Sequence, residues 1–132
     1  MAKTWQQKFD SKPKPDIKVI DKDFWGQQAG DRMLIPTPKL IQEYIDQAES
    51  TQLDLLQMRK DLAAANDADF TCPMTTGIFL RIVAELNLEK MAAGEKHITP
   101  FWRIIDPKSP LAKKLSCGVK GLLALQSKDQ SW

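Results

Sequence analysis

Few residues in this 132-residue chain have the type and setting to do chemistry. Cys72 sits in Thr71-Cys72-Pro73, a helix-start signal, because proline at the first helical position gives up a hydrogen bond the helix could not make. A thiol there stands at the positive end of a helix dipole, where the nucleophilic thiolate is favoured. The competing reading is a small buried cap residue with an inert thiol. Thr75, Thr76 and Gly77 follow in the first turns and could hold a phosphate on backbone amides. They could equally supply a hydroxyl cap and a glycine for close helix packing. Arg81 comes next, with Glu85 one turn on as its natural partner. Further along, Phe101-Trp102-Arg103 sets two aromatic rings beside a guanidinium. Lys108, Lys113, Lys114 and Lys120 form the densest basic patch, either a phosphate-contacting surface or a solvated one.

Other chemistries have no residues to run on. Two cysteines, Cys72 and Cys117, and one histidine, His97, show no short metal-ligand spacing, so no zinc site, disulfide framework or cofactor is expected. The apolar share of 42% and charged share of 27% are those of an ordinary soluble protein. No apolar run approaches the roughly 20 residues of a membrane span, and the stretch MAKTWQQKFD has no apolar core of the secretory kind. The expected location is the cytoplasm.

Charge is unevenly distributed. Residues 1–39 hold eight Lys/Arg against five Asp/Glu, residues 40–94 hold four against nine, and residues 95–132 hold seven against three. A nucleic-acid reader carries its positive charge on the element that faces phosphate. Here the central block is acidic, which points to the C-terminal lysines rather than to the helix after Cys72.

The elements that must position these residues follow from periodicity. Lys3 to Asp16, lysine-rich with Pro13 and Pro15, predicts an extended arm, with Trp5 and Phe9 four apart as a short helical anchor. Ile17, Val19 and Phe24 suggest an extended piece over the core. Arg32 to Ile35 suggests a second, ending at Pro36. Thr37-Pro38 opens a helix whose Leu40, Ile41, Tyr44, Ile45 and Ala48 share one face. Asp54 and Gln57, in capping-box relation, open another through Ala64 that buries Leu55, Met58 and Leu62. The third helix, Met74 to Ala93, carries a stripe of Ile78, Phe79, Ile82, Val83, Leu86 and Met91. Ile98 to Ile105 reads as a strand with one of Phe101 and Trp102 inward, and His97 as its hinge. Pro107 and Pro110 mark a loop, and a last amphipathic helix runs from about Val119 to Ser127. The order predicts an α+β, mainly α protein: a winged helix-turn-helix over residues 37–132, an arm over residues 1–36, and a C-terminal helix.

The segment Thr99-Pro100-Phe101-Trp102-Arg103-Ile104-Ile105, with this order of elements, resembles the C-terminal DNA-binding domain of O6-alkylguanine-DNA alkyltransferases. The run Thr71 to Phe79 and the Pro-aromatic-Trp-Arg segment resemble small alkyltransferase-like proteins across about Trp5 to Leu125. The resemblance implies a winged-helix fold without the repair reaction. Phe101 and Trp102 stand where the acceptor cysteine and its activating histidine belong, and neither can accept an alkyl group or move a proton. Gly77 falls near the place of the arginine that fills the hole left by a flipped base, and Leu55 at that of the tyrosine pressing on its phosphate. Pro100 and Arg103 match.

Three functions follow as expectations. The first is a non-enzymatic winged-helix protein binding DNA through Trp102, Arg103, Lys113, Lys114 and Lys120, with Thr75, Thr76 and Arg81 on the helix as further contacts. The second is a protein-interaction module. The third is a thiol enzyme using Cys72.

Overall fold

The computed structural model describes residues 3–23 and 26–129, and it is an α+β fold. The first element is α1, Trp5–Asp10, closed by a capping box in which Thr4 and Gln7 exchange side-chain and backbone hydrogen bonds. The arm thus carries a six-residue helix at the short anchor that Trp5 and Phe9 suggest. Strand β1, Asp16–Val19, pairs antiparallel with β2, Arg32–Ile35, which pairs in parallel with the two-residue β3, Phe70–Thr71. Every residue of β1 is exposed, Val19 at 64%, so this strand edges the sheet and does not lie over the core. Phe24 lies outside the described residues.

Helix α2, Pro38–Gln47, starts as its sequence dictates: the Thr37 hydroxyl accepts from the Leu40 amide and proline takes the first position. Helix α3, Leu55–Ala65, is capped by Asp54, which accepts from the Leu56 amide. Gln57 does not complete a capping box; its amide donates instead to Asp61 one turn on. Asp61 also accepts from the Tyr44 hydroxyl at 2.7 Å and so ties α3 to α2. Burial, then the neighbouring Asp61, pushes the Tyr44 phenol up to about 12. Helix α4, Pro73–Ala92, is the longest. Its Leu80, Val83 and Ala84, with Ile41 and Ile45 of α2, Met58 and Leu62 of α3, Leu34 of β2 and Phe101, form the centre of the apolar core.

Two expectations need correction. Residues 98–105 contain no strand: Phe101–Arg103 is one turn of 3-10 helix, so the segment read as a wing is a compact turn. Alternating Phe101 and Trp102 satisfy a strand pattern, but here the chain only has to drop one ring into the core, and Phe101 is fully buried. The region around Pro110 is not a loop either. Ser109 caps α5, Pro110–Lys114, through the Ala112 amide, with the proline at a helix start. Helix α6, Gly118–Lys128, is the last element among the described residues.

Candidate functional site

Helix α4 changes character along its length. Residues 82–87 are all buried, including Glu85 and Asn87, whereas Met74 is 64% and Ile78 55% exposed. Ile78 therefore leaves the stripe to which its spacing assigned it. The outward face of the first two turns lies between two cavities, and Gly77 borders both. Outside its chain neighbours and the backbone of its own helix, no atom lies within 4 Å of the place a Gly77 Cβ would occupy, so this glycine opens a surface and does not permit a close helix approach.

The first cavity, about 820 Å³, lies between the start of α3, α4 and the segment Arg103 to Leu111. Leu55, Leu56, Leu80, Ile104 and Leu111 are among its apolar residues, and Arg59, Arg103, Asp54 and Asp106 are its charged ones. The carboxylates of Asp54 and Asp106 are engaged by the Leu56 and Lys108 amides. The Nε of Arg59 is buried with no hydrogen-bond partner, which leaves a donor unsatisfied in this wall. Sequence reasoning missed Arg59; its one signal was a basic residue four positions after Leu55 on the same helix face.

Trp102 and Arg103 are held by α6. Asp129 accepts from Trp102 Nε1 at 3.0 Å and from Arg103 Nε at 2.7 Å. Gln126 donates to the carbonyls of Trp102 and Ile105, and the Arg103 carbonyl accepts from the Leu53 amide. Both side chains are half-buried with their polar edges turned to Asp129, rather than projecting from a wing. The Phe101 and Trp102 rings meet edge to face at 5.3 Å.

The second cavity, about 570 Å³, lies on the other side of Gly77, under α1. Trp5, Met74, Ile78, Ile82 and Leu111 are its apolar residues; Lys3, Lys8, Arg81 and Lys114 are its charged ones. No Asp or Glu lines it. Lys8 Nζ stands 4.3 Å from the centre of the Trp5 ring and the Arg81 guanidinium carbon 5.5 Å from it. Arg81 does reach Glu85, at 3.9 Å, but its Nε makes no hydrogen bond. The Glu85 carboxylate is held by the Ser116 amide and, at 2.5 Å, by the Ser116 hydroxyl. Burial and the Glu85 charge push the neighbouring Cys117 thiol up, keeping it protonated. Composition by blocks hid this cluster, because its cations come from three separate segments.

The remaining candidates fall apart spatially. Thr76 is fully buried, and its hydroxyl donates back to the Cys72 carbonyl at 2.7 Å, so it has nothing to offer a phosphate. The Thr75 hydroxyl points to the same carbonyl at 3.5 Å. Cys72 is 5% exposed, and His97 is exposed beyond the far end of the 20-residue α4. Helix α4 alone is about 30 Å long at 1.5 Å per residue, and neither cavity described above is lined by Cys72 or His97. Lys113, Lys114 and Lys120 are all exposed, with Lys114 alone at a cavity.

Among the described residues no cluster of three His, Cys, Asp or Glu could hold a metal ion, and no helix is long and apolar enough to cross a membrane. Comparison with protein-family models, with curated proteins and with solved structures finds no match.

Proposed function

We propose that the chain is a non-enzymatic DNA-binding protein, related to the alkyltransferase-like proteins it resembles, that binds DNA through the Phe101–Arg103 turn, the cavity beside it and the C-terminal lysines. In this reading α3 and α4 are the helix pair of a winged helix-turn-helix derivative in which the Phe101–Arg103 turn stands where the wing would be. The observation that carries it is a convergence: Leu55, Gly77 and Arg103, which the resemblance maps around a bound nucleotide, line one cavity although they come from α3, α4 and the 3-10 turn. Exposed Lys113, Lys114 and Lys120 lie on the adjoining α5 and α6, and supply the phosphate-contacting charge. With Phe101 buried in place of an acceptor thiol, the cavity can receive a ligand but cannot take an alkyl group from it.

A fluorescence-anisotropy titration with duplex and single-stranded DNA at two salt concentrations tests this. Three lysine contacts correspond to a log–log salt slope near about −3, and replacing Lys113, Lys114 and Lys120 with glutamine should weaken binding and flatten that slope. Absence of binding even at low salt removes the reading. In the same samples, DNA carrying O6-methylguanine should leave the protein mass unchanged.

A second reading, a protein-interaction module, is favoured by the exposure of Met74 and Ile78, because an apolar face gains most from an apolar partner.

A further inference from the structure

The cavity under α1 combines two features that call for different halves of a ligand. Met74 and Ile78 expose 64% and 55% of their surface at its edge, and Trp5 and Ile82 continue the apolar surface inward. Burying such area is favourable at about 25 cal/mol per Å², so these side chains select an apolar group. The rim selects an anion: Lys3 and Lys8 come from the α1 end, Arg81 from α4 and Lys114 from α5, with no carboxylate in the lining. Arg81 shares its charge with Glu85, but no described carboxylate lies within ion-pair distance of Lys3, Lys8 or Lys114.

We infer that this groove docks an acidic amphipathic helical segment of a protein partner. Apolar side chains of that segment seat against Met74, Ile78 and Trp5, and its carboxylates meet Lys3, Lys8 and Lys114. The outward side of α4 from Met74 to Arg81 is two helical turns, about 10 Å, which a partner helix of about three turns covers. A polynucleotide backbone would satisfy the lysines while leaving two large apolar side chains against phosphate and sugar. An amphipathic peptide satisfies both, and methionine adapts readily to a partner's shape. This site rests on the protein-interaction reading and is separable from the DNA one: it uses the other cavity and, of Lys113, Lys114 and Lys120, only Lys114.

The probe is a fluorescein-labelled peptide of about twelve residues, with leucines on one helical face and glutamates elsewhere, titrated into the full chain. A scrambled peptide of the same composition and a labelled DNA duplex run in parallel. The amphipathic peptide should bind at least about tenfold more tightly than the scrambled one, since only the former presents its leucines together. The double variants Met74→Ser/Ile78→Ser and Lys3→Gln/Lys8→Gln should each weaken it about tenfold, with circular dichroism confirming that the substituted surface residues leave the fold intact. Equal binding of the two peptides, no binding of either, or indifference to Met74→Ser/Ile78→Ser overturns the inference. So does loss of DNA binding in Lys3→Gln/Lys8→Gln with no peptide bound, which would make the groove a phosphate track. DNA binding without peptide binding defeats this inference alone; peptide binding without DNA binding defeats only the DNA reading.

Discussion

The two halves of α4 carry apolar residues at similar density yet meet opposite fates. From Ile82 to Asn87 every residue is buried, and even the polar ones are absorbed: Glu85 is held by Ser116, and Asn87 bridges Thr99, Gln42 and the Val83 carbonyl. From Met74 to Ile78 the outward side chains are left uncovered between two cavities. The stretch from Ile82 to Asn87 holds the molecule together; in the early turns Thr76 and Leu80 are still fully buried, and only the outward side is available to something else. An apolar residue on a helix is thus evidence of burial only once the neighbouring elements are placed.

The contrast can be broken at several places. The largest effect is expected from charge: Ile82→Asp should unfold the protein, because an unpaired carboxylate in the core costs several kcal/mol, roughly, while Ile78→Asp four residues earlier should leave the melting temperature nearly unchanged. Equal melting of the two variants would erase the distinction between the halves. A smaller loss, about 1–3 kcal/mol in chemical denaturation, is expected for Asn87→Ala, which strands the buried Thr99 amide. Thr75→Ala, whose hydroxyl contact is a long 3.5 Å, should cost much less. The smallest effect has the opposite sign. Gly77→Ala should stabilise by up to about 1 kcal/mol, since a helix-interior glycine is entropically costly and its added methyl meets nothing within 4 Å. A destabilised Gly77→Ala would mean that this face is packed rather than open.

Much of the fold was legible because local chemistry decides it. Thr37-Pro38, Asp54 and Cys72-Pro73 start helices that form where those signals stand, and the stripes through Ile41, Ile45, Met58 and Leu62 do enter the core. The 3-10 turn was not legible, since Phe101-Trp102 alternates equally well as a strand and only the fit of Phe101 into the core selects the turn. Strand β3 was also hidden: two residues show no periodicity, and Phe70–Thr71 becomes a strand only because β2 lies beside it. The candidate residues divide the same way. Thr76 and Cys72 looked available at a helix start, but both side chains are on the inward side of that turn, and burial removes them.

The sequence by itself determined where the three central helices begin, which faces could be apolar, and that an aromatic residue follows Pro100. These depend on hydrogen bonds and periodicities spanning a few residues. Only the tertiary structure decided which apolar face stays open and where the positive charge gathers. Read in blocks, the middle of the chain is acidic and argues against α4 as a contact surface for anions. Folding brings Lys3 and Lys8 from one end and Lys114 from the other beside Arg81. Electrostatic interaction follows distance through space, screened over roughly 8–10 Å of salt solution, and is indifferent to separation along the chain.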